Sequence, residues 1–173
     1  MGLFVWLEQT CFAQWVHGSD SIMAFPMFLT AHVIGMGLLV GLATVINLRL
    51  LGYMGQVPLA PLAKLFPLMW VGFCVNAMSG FVLFISDAST KLATPIFYLK
   101  LVLVILGMLS VAAIESDVFQ DSALDKVPVS GKRRLMAATS LLLWAAALSS
   151  ARLIAYLQPR HAASLYRYLL LRG

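Results

Sequence analysis

Long uncharged stretches separated by short polar clusters set the pattern of this chain. Apolar residues run almost unbroken over 24–51, 66–86, 95–114 and 135–157. They surround each run instead of forming one stripe, which is the pattern of a helix that meets apolar material on every side. About 20 such residues rise roughly 30 Å, the thickness of a hydrocarbon core. The runs therefore predict four membrane-crossing helices, and the first, at roughly 40 Å, has to tilt or protrude.

Small and polar residues inside the runs predict how the helices meet. Gly35, Gly37 and Gly41 lie in the first run, and the Gly37–Gly41 step is a G-x-x-x-G pair expected to admit a close neighbour. Arg49 near the end of that run can snorkel to the headgroups. The second run holds Asn76 near its middle, with Ser79 and Gly80. An amide at that depth is expected to face other helices and not lipid. Pro95 suits the first turn of the third helix, where its missing N–H costs nothing. Glu115 and Asp117 are expected to close that helix, and a polar loop with Lys126, Lys132, Arg133 and Arg134 follows. The fourth run carries Arg152 and stops before Pro159.

Two flanking segments are too short to cross. Over 3–16, Phe4, Leu7, Cys11 and Trp15 share a helical face while Glu8, Gln9 and Gln14 fall elsewhere, which predicts an amphipathic helix along the headgroups. The tail 161–173 places Tyr166, Tyr168, Arg167 and Arg172 around a leucine run and reads as a second interfacial segment. The predicted fold is all-α: an integral membrane four-helix bundle forming one domain over 1–173, with an N-terminal interfacial helix and a short interfacial C-terminal tail.

Composition agrees with this reading. Apolar residues make up 61% of the chain, charged residues 11%, and the mean hydropathy is +0.91. A soluble domain carries about a quarter of its residues as charges, so the bilayer is the expected solvent. Disorder, collagen and coiled coil are excluded on the same grounds. The net charge of +5 fits loop and headgroup contacts, and without a basic run interleaved with aromatics no nucleic-acid partner is expected. Cys11 and Cys74 form neither a disulfide framework nor a Cys-x-x-Cys site. The N-terminus lacks the basic region of a secretory signal and is read as mature structure. No Lys or Arg precedes the first helix, Arg49 and Lys64 follow it, and basic residues join the third and fourth, so the N-terminus is placed outside. Arg160, Arg167 and Arg172 argue the other way.

Laid antiparallel, the four helices bring ionisable groups to one end. His32 falls roughly 12 Å into the first helix, and Lys100 and Arg152 roughly 8 Å from the ends of theirs, by the helical rise. Asp87 follows the second helix directly. Charges at that depth are costly unless they snorkel, pair or line a wet cavity. Two readings follow: separate snorkelling charges, with Asp87 pairing one of them, or a shared polar pocket near the outer face. Met36 shares a helix face with His32, and Tyr156 with Arg152. Such a pocket suits an anionic or quinone-like group held by Lys100 and Arg152, with His32 as hydrogen-bond partner or ligand. Haem b or a metal on His32 is the other option, with a sulfur of Met23, Met27, Met36 or Met78, or a second copy's histidine, as the further ligand. No H-E-x-x-H, G-x-S-x-G or phosphate-loop motif points to an enzyme.

Pro26 with His32, Leu48-Arg49-Leu50-Leu51-Gly52, Trp70-x-Gly72-Phe73 with Ser79-Gly80, Phe97-x-x-Lys100 and Arg152-Leu-Ile-Ala-Tyr156 together resemble a family of uncharacterised bacterial integral membrane proteins. The resemblance covers about residues 6–156 and implies a four-helix membrane architecture without an assigned reaction. A looser likeness to four-helix b-type cytochromes and copper-resistance membrane proteins rests on size, helix count and one intramembrane histidine. Paired histidines are absent here. Three functional readings emerge. The first is a non-catalytic subunit of a bacterial inner-membrane complex, redox-linked, contacting other membrane subunits or copies of itself. The second is a haem b- or quinone-binding electron-transfer protein using His32, and the third a small oligomeric transporter.

Overall fold

The computed structural model describes residues 9–19, 21, 23–92, 94–119 and 129–157, and for 17, 89, 90 and 154–157 the backbone alone. These are all-α, with no strand among the described residues. Four helices are long and apolar enough to cross a membrane. They are α2 (Phe25–Leu51), α3 (Leu65–Ile85), α5 (Pro95–Val118) and α6 (Gly131–Leu157), preceded by α1 (Cys11–Gly18) and interrupted by the short α4 (Ala88–Leu92).

Local chemistry explains where each begins and ends. The Thr10 side chain accepts a hydrogen bond from the Ala13 amide at 3.3 Å and starts α1, which buries Ala13 and Val16 and leaves Cys11, Phe12 and Trp15 outward. Residues 3–8 of the expected interfacial helix, and the tail 161–173, lie outside the described residues. Pro26 occupies the first turn of α2, and Gly52 ends that helix with φ 103°, a left-handed conformation that favours glycine. The loop after it tightens into a 3-10 turn, Ala60–Lys64, that leads directly into α3. In place of a plain turn over 87–94 the chain inserts α4, whose Lys91 ammonium donates to the Leu83 carbonyl at the end of α3.

Two boundaries differ from the sequence reading. Helix α5 continues four residues beyond 114, so Glu115 and Asp117 lie inside it, and α6 starts at Gly131, with Lys132, Arg133 and Arg134 in its first turn instead of a loop. Each end opposes its helix dipole, with an acid at a C-terminus and bases at an N-terminus. The two ends offset each other. Asp117 is 2.6 Å from the Lys132 ammonium and 3.5 Å from Arg133, whose guanidinium also donates to the Asp117 carbonyl. The Ser130 hydroxyl accepts from the Arg133 amide and caps α6.

Helix α2 is the centre of the packing, with α3 on one side and α6 on the other; α5 packs on α6. Aromatic pairs join α3 to α5 near both ends: Phe66 meets Phe119 edge-on at 4.9 Å, and Phe84 stacks on Phe97 at 5.5 Å. Leu39, Ala43, Ile46 and Leu50 of α2 form the spine of the core, meeting Phe66 and Met69 of α3 and Val111 and Ile114 of α5. The remaining surface is strongly apolar. In the most apolar window of each long helix no more than 28% of residues are buried within the protein, and Val33, Phe81, Leu109 and Leu142 are all at least 60% exposed.

The close helix approach is made by a different glycine from the one expected. A Cβ on Gly37 or Gly41 would meet nothing within 4 Å, because both lie on the outward face of α2. Gly35, on the Leu39–Ala43 face, is the contact: a Cβ there would lie 2.7 Å from the Asn76 amide nitrogen and 2.8 Å from the Gly72 carbonyl oxygen. A Cβ on Gly72 would likewise lie 3.0 Å from the Gly35 carbonyl oxygen. Relief of a Cβ clash here requires moving a helix. Gly35→Leu is therefore expected to destabilise the protein by at least about 1–3 kcal/mol, the usual cost of overpacking. Thermal unfolding in detergent should show a clear loss for Gly35→Leu and no change for Gly41→Leu.

Candidate polar site between the long helices

The imidazole of His32 enters the α2–α3 interface two turns into α2. Its Nδ1 lies 2.9 Å from the backbone carbonyl oxygen of Asn76, and the Asn76 side-chain amide donates back to the His32 carbonyl at 2.9 Å. A carbonyl only accepts, so Nδ1 carries the proton in this contact. In the neutral ring Nε2 is then a lone-pair acceptor. The Ser79 hydroxyl, 3.4 Å from Nδ1, already donates to the Val75 carbonyl at 2.6 Å.

Gly80 makes room for the ring. A Cβ at this position would be 2.9 Å from His32 Cε1 and 3.1 Å from Nδ1. The small pair Ser79 and Gly80 thus forms the shelf on which the imidazole lies. Nε2 has no hydrogen-bond partner among the described residues, and it is not one of the buried orphan atoms, which are Asn47 Oδ1 and Trp144 Nε1. It is an unengaged acceptor that is not fully buried.

Of the other expected site residues, Lys100 is the one whose charge acts on His32. It is the sixth residue of α5, half-buried, with neither an ion pair nor a hydrogen bond among the described residues. Its positive charge acts on the His32 ring, as does that of Lys91 on α4. Arg152 is exposed on α6 and joins neither group. Asp87 sits half-buried in the turn between α3 and α4, where its carbonyl accepts from the Lys91 amide at 3.3 Å; no ion pair of its carboxylate occurs among the described residues. The expected pairing of Asp87 with an intramembrane cation is therefore not formed. Met36 packs on the core one turn beyond His32. Tyr156 belongs to the last turn of α6, its side chain outside the described residues.

The donor set bears directly on metal and haem. No group of three or more His, Cys, Asp or Glu gathers among the described residues. Met23, Met27 and Met78 are exposed at 61%, 39% and 73%, away from the interior. Among the described side chains there is one imidazole, that of His32, which fits a single axial ligand.

The reciprocal His32–Asn76 bond escaped the sequence reading, although both residues had been singled out. A second polar cluster escaped it entirely. Asn47, Ser140 and Ser110 link α2, α6 and α5: the Asn47 amide donates to the Ser140 hydroxyl at 3.0 Å, and the Ser110 and Ser140 hydroxyls are 2.8 Å apart. The available signal was an amide or aliphatic hydroxyl in each of the three runs, though not singly in the first and fourth. Beside that cluster Trp144 lies on Gly107, where a Cβ would be 3.0 Å from the indole.

The chain matches no family model, no curated protein and no solved structure.

The geometry predicts one tautomer. Nitrogen-15 NMR of histidine-labelled protein in detergent should show His32 protonated at Nδ1 and bare at Nε2. Gly80→Val, which drives the ring off its shelf, should remove that preference. A native ring protonated mainly at Nε2 would contradict the assignment.

Proposed function

We propose that this chain is a multi-pass integral membrane protein of the bacterial inner membrane, with its N-terminus outside, that serves as a non-catalytic subunit of a redox-linked complex and holds a quinone-type group at His32. The carrying observation is the commitment of His32 Nδ1 to the Asn76 carbonyl, which leaves Nε2 as a fixed acceptor that is not fully buried. The bilayer setting is supported by four long apolar helices whose surface the protein itself leaves uncovered. The orientation is supported by Arg49, Lys64, Lys132, Arg133 and Arg134, which cluster around the helix ends opposite His32. Membership of the uncharacterised membrane family that the sequence resembles is part of the same proposal.

The chemistry asked of the chain is binding and orientation. The Lys100 ammonium donates to a ring carbonyl oxygen, and Nε2 accepts from a hydroxyl of the reduced form. Electrons come from a partner subunit. Arg152 lies outside this arrangement and serves as a headgroup anchor.

A haem b reading keeps one specific observation in its favour. Metal-bound histidines commonly donate their second ring N–H to a backbone carbonyl, as His32 does. With one imidazole among the described side chains, a second axial ligand would come from a second copy or a partner.

Both readings are tested on protein purified in mild detergent with its native lipid, by quinone extraction and an absorption spectrum. Retention of about one quinone per chain, reduced roughly tenfold or more in both His32→Gln and Lys100→Ala, is the expected result. A tenfold loss corresponds to about 1.4 kcal/mol of binding. A Soret band abolished by His32→Gln would replace the quinone with haem. With neither quinone nor Soret band in native protein, the His32 site has no cofactor role.

A further inference from the structure

Asn47 is 1% exposed and lies in the inner half of the bundle, away from His32. Its side-chain orientation follows from counting protons in the serine cluster. The Ser110 hydroxyl is 2.6 Å from the Gly107 carbonyl and 2.8 Å from the Ser140 oxygen, and it has one proton to give. Directed to Gly107, that proton leaves Ser140 to donate to Ser110 and to accept from Asn47 Nδ2. This gives a relay of three hydrogen bonds that ends on a backbone carbonyl. Rotating the amide by a half turn would break the relay's direction and leave two. The relay therefore places Nδ2 on Ser140 and turns Oδ1 away, and Oδ1 has no partner among the described residues.

Asn47 also lines a small pocket. This pocket of about 10 Å³ is partly open and lies between α2, α3 and α5, lined by Ala43, Ile46 and Asn47, Phe66 and Met69, and Val111 and Ile114. This is about the smallest volume that holds a water molecule. The edge-on pair Phe66–Phe119 joins α3 to the C-terminal end of α5 on the same side of the bundle. A buried amide oxygen without a partner costs about 1–3 kcal/mol, so one additional donor at this point is strongly favoured.

We propose that this cavity is a binding site for one water molecule, which donates to Asn47 Oδ1 and has the thioether sulfur of Met69 as a weaker second acceptor. The water completes the polar layer made by Asn47, Ser140 and Ser110 and extends it to α3. The site is independent of the cofactor reading at His32.

Solid-state NMR of the native protein in phospholipid vesicles tests it, by magnetisation transfer from water to the labelled Asn47 Cγ. Transfer is expected to Asn47 and to be lost in Ala43→Val, which adds methyl groups at the cavity wall. A density map of the native protein at about 2 Å resolution gives an independent check. A peak within hydrogen-bonding distance of Oδ1 supports the proposal. An ordered Asn47 with no such peak, the absence of transfer in the native protein, or transfer undiminished in a folded Ala43→Val variant would overturn it.

Discussion

Two helix backbones approach to van der Waals contact only where neither interposes a Cβ, and α2 and α3 meet at such a point in Gly35 and Gly72. The consequences spread along the interface. Once the backbones are this close, the Asn76 amide reaches the His32 carbonyl, and the Asn76 carbonyl reaches His32 Nδ1. Gly80, one turn beyond Asn76 on α3, leaves space for the imidazole, since a Cβ there would lie 2.9 Å from His32 Cε1. In lipid, burial of apolar side chains does not favour helix association as it does in water, so close packing and interhelical hydrogen bonds carry it. The α2–α3 pair concentrates both in about two turns of helix.

The rest of the bundle repeats this solution with different residues. Helices α5 and α6 approach where Gly107 receives the Trp144 indole, and Ser110 and Ser140 supply the hydrogen bond one turn away. Asn47 then ties α2 to that pair. Each interhelical hydrogen bond of this type is worth on average about 0.6 kcal/mol. The value of these contacts lies more in register than in stability. A slide of one helix by a single turn would leave several polar groups facing hydrocarbon at once.

The sequence made the long helices legible because an uninterrupted apolar run has few alternatives at that length. Their ends were read less well where charged residues were taken as stops. Glu115, Asp117 and Lys132 to Arg134 remain helical because Asp117 compensates the bases across two helix ends, a contact that needs the antiparallel pairing to be known first. The glycine motif failed for a similar reason. Gly37 and Gly41 satisfy the spacing rule, but spacing does not say which face of α2 turns inward, and the face carrying Leu39, Ala43, Ile46 and Leu50 belongs to Gly35. At the candidate site His32 and Lys100 were visible as isolated intramembrane polar residues. Their depth along the helices was readable, but the direction each side chain takes was not, which is why Arg152 was grouped with them and faces outward instead.

Charge distribution separates the two ends of the bundle. At the end bearing Lys132 and Arg133 the cations sit at helix termini, and Asp117 neutralises part of their charge. At the His32 end Lys100 is half-buried, with no carboxylate beside it among the described residues, while Asp87 lies in a nearby turn without engaging it. A cation in that position costs free energy even when its amine snorkels. A structural scaffold has no need of that cost, since leucine in place of Lys100 would pack an apolar helix better. The strongest argument for a ligand at this end is therefore the conjunction: an unpaired ammonium, an acceptor nitrogen held in one orientation, and a glycine shelf that keeps the ring in place.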